Sequence, residues 1–153
     1  MNQEDLVGAE FQATREFLGF TIPLLAKYMG IEEADIRRWE KNRAVIPDDI
    51  WDELEDIEIF TDVAIDNLVA EVKASDSKEV RLYHSAEELG AAHPDYKYFP
   101  LRWWRHVVMR ARSLGVTFTV IEEYQSRTTQ FNSRQKTGQS HGTPQYDYAI
   151  SAP

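Results

Sequence analysis

Thr21-Ile22-Pro23 and Gly30 bracket a short apolar segment in a way that leaves few folds open to this chain. The Thr21 hydroxyl can accept from an otherwise unpaired backbone N–H at a helix start, and Pro23 fits the first turn, where its missing donor does no harm. Leu25, Ala26 and Met29 then form one apolar stripe at three- and four-residue spacing. Gly30 lets the chain turn left-handed at no steric cost. A second helix is expected from about Glu32 to Trp39, with Ile31, Ile36 and Trp39 facing the first. Two short helices joined by such a turn make a helix-turn-helix, whose second member can lie in the major groove of DNA.

The surrounding residues extend the pattern. Arg15, Leu18-Gly19-Phe20-Thr21, Leu25-Ala26, Gly30-Ile31, Ile36 and Arg38-Trp39-Glu40 resemble the XRE-like, phage repressor/Cro-type family over roughly residues 8 to 47. The resemblance implies a lambda-repressor-like bundle and an Arg15–Glu40 ion pair. It also implies base-edge contacts from Glu33, Ala34, Arg37 and Arg38, and phosphate contacts from Thr21, Lys41, Asn42 and Arg43. Arginine can meet guanine O6 and N7 with two hydrogen bonds, worth ~1–3 kcal/mol of discrimination, and Glu33 could accept from a cytosine amino group. The same side chains also suit Glu33–Arg37 and Asp35–Arg38 ion pairs along one helix face, and the two readings do not exclude each other. Ile22 departs from the family pattern, since many relatives carry a phosphate-binding Gln there.

Charge complicates that reading. The chain carries a net −9, but residues 1–73 hold 7 Lys/Arg against 18 Asp/Glu, a balance of −11, whereas residues 74–153 stand at +2. Duplex binding normally draws on a basic footprint, because neutralised phosphates release counterions. In the acidic half the one basic cluster is Lys41-Asn42-Arg43, placed where a DNA backbone should pass.

A long helix is expected from about Pro47, with Asp48 and Asp49 suited to its N-terminus. Ile50, Leu54, Ile57, Thr61, Ala64 and Leu68 recur at heptad spacing, which suits packing against another helix. Its second half is read as a dimerisation or interdomain element. Beyond a polar break at 74–78, Val80 to Tyr83 and Val116 to Ile121 read as strands, and Ser85 with Glu88 reads as a capping box opening a short helix. Leu101 to Leu114 reads as a basic, aromatic helix stopped by Gly115. Trp103 and Val107 would face the core there. A nucleic-acid role for the Arg-rich outer face is the alternative. Two strands need helices over them or a second copy at their edge.

His93-Pro94, Pro100, Trp103, Arg105, Val107, Arg110 and the closing strand resemble a group of bacterial and phage helix-turn-helix regulators that includes anti-CRISPR-associated repressors, with a small C-terminal dimerisation domain. The expected fold is α+β, mostly α: a helix-turn-helix domain with its long connecting helix at 1–73, a strand-helix-helix-strand domain at 74–124, and a polar, flexible tail at 125–153. Thr61, Ala64, Leu68 and Val120 are expected at the dimer contact.

No apolar run approaches the ~20 residues that span a bilayer, and no basic-then-apolar leader opens the chain, so a cytoplasmic protein is expected. There is no cysteine, no Gly-rich phosphate loop and no nucleophile motif, and His84, His93, His106 and His141 lack ligand spacing. An enzyme, a metal site and a cofactor are therefore not expected. The reading is a homodimeric, sequence-specific regulator, a repressor, on an inverted repeat of double-stranded DNA. The alternative is a protein-interaction module on the same scaffold, an antitoxin or a DNA-mimicking inhibitor with a protein partner.

Overall fold

A computed structural model describes residues 4–122, with side chains from Val7 onward. The expected tail at 125–153, and the side chain of Leu6, lie outside the described residues. Six α-helices, one 3-10 turn and two strands follow in order: α1 Glu4–Phe17, α2 Ile22–Met29, α3 Glu33–Glu40, α4 Asp48–Ala74, β1 Glu79–Leu82, α5 Ala86–Ala92, the turn Pro94–Tyr96, α6 Leu101–Ser113 and β2 Thr119–Glu122. The fold is α+β and mostly α. No helix among the described residues is long and apolar enough to cross a membrane.

The heptad stripe of α4 organises the interior. Ile50, Leu54, Ile57, Thr61, Ala64 and Leu68 are all buried, together with Ile65 and Val72. The first half covers the helix-turn-helix, where Phe11 lies edge-to-face against both Trp39 and Trp51. The second half meets α6 of the same chain. Trp103 Nε1 donates to Thr61 Oγ1 at 2.9 Å, and Thr61 passes its own hydroxyl hydrogen to Ile57 O at 2.6 Å. A hydroxyl buried in mid-helix is thus satisfied on both sides, as a dry interior requires. This corrects the expectation that Thr61, Ala64 and Leu68 wait for a second copy. Heptad spacing states only that a helix packs against another, and α6, rich in buried Trp103, Trp104, Val107 and Val108, supplies that partner within the chain. Val120 is partly buried and packs against the same core.

The two strands pair with each other in parallel, Val80 opposite Val120. A parallel pair needs a crossover, which α5, the 3-10 turn and α6 provide. The second strand begins at Thr119 rather than at Val116, because pairing starts where Thr119 N reaches Lys78 O (2.8 Å) and no partner strand among the described residues lies beside the residues before it. Phe118 is nonetheless buried, so the apolar signal at 116–118 reports core packing. Between α4 and β1, the Lys78 ammonium donates to Lys73 O and to Val72 O, which also accepts from Ser75 N, so a cation caps the carbonyl end of the helix. Ser85 caps α5 through Glu88 N, while Glu88 reaches back to the His84 N–H, one residue earlier than a capping box would place it.

The turn between α1 and α2 docks on the start of α6. Around it Phe20, Phe99, Phe60 and Trp103 form a run of ring contacts, with Phe60 and Phe99 stacked at 4.8 Å. Nearby, His106 meets Phe17 edge-on at 4.4 Å. Burial, and then the Arg110 charge, hold its pKa below the ordinary imidazole value, against the opposing pull of Asp62. The folded state therefore disfavours the proton that the unfolded chain accepts at ~6.5. The resulting stability is complete above that value and is lost as pH falls through it toward the lower folded value. His106→Gln should flatten this dependence. Urea midpoints measured from about pH 7.5 to 5.5 should fall more steeply for the wild type than for the variant, and equal slopes would remove His106 from the account.

Candidate nucleic-acid interface

Local chemistry sets the orientation of α3. Thr21 Oγ1 accepts from Leu24 N at 3.3 Å, capping α2, and its O–H remains able to donate outward. Gly30 closes α2 in the left-handed region (φ 69), and Ile31 N returns to Ala26 O at 3.0 Å. Ile36 and Trp39 then turn into the core. At 100° per residue, Ala34, Arg37, Arg38 and Lys41 fall on the arc opposite those two anchors, and all four are exposed. Glu33 lies at the rim of that arc, half-buried.

Each arginine of α3 is held by a carboxylate of its own helix: Arg37 Nη2 to Glu33 Oε2 at 3.0 Å, and Arg38 to Asp35. Both pairs are largely exposed, and pairs of this kind contribute only ~0.3–0.5 kcal/mol. A bidentate contact to guanine, at ~1–3 kcal/mol, outweighs that. The carboxylates therefore pre-orient the guanidinium groups without locking them. Lys41 and Arg43 have no ion-pair partner among the described residues.

Three of the site residues brace the structure itself. Arg15 and Glu40 meet beneath the surface: Nε donates to Oε1 at 2.5 Å and Nη2 to Oε2 at 3.2 Å, while Nη1 donates to Phe20 O at 2.7 Å. This fork ties α1, the α1–α2 turn and the end of α3 together. Asn42 adopts φ 53, and its Oδ1 accepts from Gly8 N in α1 at 2.9 Å. Its carbonyl thus braces the loop that presents Lys41 and Arg43. The residue that makes this approach possible, Gly8, is not apparent as a site residue from sequence. A Cβ there would lie 2.5 Å from Trp39 O. The available signal is a glycine inside a helix, which costs ~0.5–1 kcal/mol relative to alanine and so asks for a packing reason.

Thr21, Ala34, Arg37, Arg38, Lys41, Asn42 and Arg43 thus have exposed positions on the helix-turn-helix, Glu33 stands at the rim, Asn42 also ties the loop to α1, and Arg15 and Glu40 hold the assembly from within. Thr61, Ala64 and Leu68 lie elsewhere, in the α4–α6 seam. Among the described residues no group of His, Cys, Asp or Glu is arranged to hold a metal ion.

A family model described as Aca2/YdiL-like matches residues 6–117, most of the chain, and the protein belongs to that family of helix-turn-helix regulators. Comparison with curated proteins finds no match.

Proposed function

For this member of the Aca2/YdiL-like family we propose sequence-specific binding of double-stranded DNA through α3, as a cytoplasmic, non-enzymatic transcriptional repressor that works as a homodimer on an inverted repeat. One observation carries the reading: Ala34, Arg37, Arg38 and Lys41 share the outward arc of a helix whose opposite arc is anchored by Ile36 and Trp39. Thr21 and Arg43, with the loop that Asn42 braces, stand where phosphates would flank such a helix. Two copies would present their α3 helices about one DNA turn apart, roughly 34 Å. Because Thr61, Ala64 and Leu68 are taken up inside the chain, we assign the pairing contact to the edges of the two-stranded sheet, which no other described strand covers, beside Val120.

Arg38→Ala should remove ~1–3 kcal/mol of discrimination between the operator and a duplex mismatched at one position. Arg43→Ala should weaken all duplexes alike and reduce the salt slope by about one, as a lost phosphate contact does. Gel-shift titrations over a salt series read both. The contrary reading, a protein-interaction module, draws on the ten carboxylates of α4, none of which has an ion-pair partner among the described residues. It is favoured if neither substitution changes duplex affinity.

A further inference from the structure

Beyond its buried stripe, α4 carries a second one on the opposite side. Asp56, Ile59, Val63 and Asp66 follow one another at spacings of three, four and three, and all are exposed. Ile59 and Val63 are 55% and 51% exposed, high for β-branched aliphatic side chains on a helix whose other face is well covered. The outer face of α6 has the same rhythm. Arg102, Arg105, Met109 and Arg112 are again three, four and three apart, all exposed, with Met109 at 53%. One strip is acidic at both ends with an apolar centre, and the other is basic at both ends with an apolar residue between.

Neither strip is neutralised among the described residues. No carboxylate of α4 and no arginine of α6 forms an ion pair among the described residues. Arg112 is partly engaged, donating to Phe118 O at 3.4 Å and lying over that ring, which leaves further N–H donors of its fork. We propose that the outer face of α4 on one copy docks against the outer face of α6 on another.

The spacing favours a second copy of this chain over an unrelated partner. A three-four-three pattern reads the same in both directions, so the strips match whether the helices run parallel or antiparallel. In either direction Asp56 and Asp66 meet Arg102 and Arg112, and Met109 falls on Ile59 or Val63. The remaining position sets the Arg105 stem along the other aliphatic residue, an arrangement that long cationic side chains adopt readily. Both halves of the contact are thus present on every molecule. They are turned away from the seam in which α4 and α6 pack together, so one pair of copies cannot close both contacts around a two-fold axis. The contact is head-to-tail, and a head-to-tail contact extends beyond two copies unless its rotation closes a ring. It is separate from the sheet-edge pairing and stands whether or not α3 holds DNA.

Sedimentation of the intact chain over a micromolar concentration series tests it. At low salt the mean mass should climb past that of a dimer with concentration, and molar salt should reverse the climb. Asp56→Arg with Asp66→Arg, and separately Arg102→Glu with Arg112→Glu, should each weaken the association by about tenfold or more. Mixing the two variants should restore it, since each then offers the face that the other has lost; this rescue also shows that both variants are folded. The proposal is overturned if wild type stops at a dimer, if either reversal leaves the association intact, or if the mixture stays dissociated. It is equally overturned if the α6 reversal abolishes nucleic-acid binding while self-association is unchanged, because nucleic acid would then occupy that face.

Discussion

Glu40→Ala is expected to lower the unfolding free energy by ~3–5 kcal/mol, the range for a buried ion pair that loses one partner. The side chains of Arg15 and Glu40 are only 6% and 7% exposed. Removal of the carboxylate leaves a guanidinium with one carbonyl, Phe20 O, and the exposed Glu16 carboxylate at 3.5 Å. Neither replaces a two-point contact, and the charge cannot be shed because arginine stays protonated. Glu40→Gln, which keeps an acceptor but not the charge, should fall between wild type and Glu40→Ala. Urea denaturation followed by circular dichroism reads the difference. A loss under ~1 kcal/mol would mean that the pair does not tie α1 to α3.

The second large effect is at Gly19. Its φ is 83, where a side chain costs ~1–2 kcal/mol. A Cβ there would also lie 2.6 Å from Trp103 N, the backbone at the start of α6. Backbone does not yield as a flexible side chain does, so an overpacking cost of ~1–3 kcal/mol adds to the first. Gly30 is the internal control. It has φ 69 but open space where a Cβ would stand, and Gly30→Ala should show the conformational cost alone. Thermal melts should therefore rank wild type above Gly30→Ala, and Gly30→Ala above Gly19→Ala. Equal losses at the two glycines would mean that the α1–α2 turn does not press on α6.

That comparison also marks what a sequence makes legible here. Thr21, Gly30 and Ser85 act on backbone groups within a few residues, so their chemistry is complete in a short window, and α2, α3 and α5 can be read from it. The stripe on α4 is equally visible, but spacing does not name the partner. Thr61 meets Trp103 across 42 residues, and nothing local separates a helix of the same chain from a helix of another copy. Asn42 has the same difficulty in miniature. A polar residue between two cations reads as a phosphate ligand, and nothing local tells that the left-handed turn also carries its side-chain carbonyl to Gly8, 34 residues away. Of the candidate interface, the inward turn of Ile36 and Trp39 follows from periodicity, and the outward residues of α3 from the family resemblance. The Asn42–Gly8 brace follows from neither, because it depends on how α1 crosses the end of α3.

The acidic balance of the N-terminal half finds its place in the same way. Ten of its carboxylates line α4, whereas on α3 Glu33 and Asp35 pair with Arg37 and Arg38 and Glu40 pairs with Arg15, so most of the charge that opposes DNA binding lies on a helix other than the one that presents the arginines. Net charge is a statement about a whole chain, and a groove responds to the residues nearest it.

Selection of the intact chain against a pool of random duplexes tests the central claim most directly. The account predicts enrichment of one inverted repeat, with half-sites about a DNA turn apart, and loss of that enrichment when Arg37 and Arg38 are both replaced by alanine. A pool that stays random, or a repeat selected equally well by the Arg37→Ala, Arg38→Ala double variant, would contradict DNA recognition by α3.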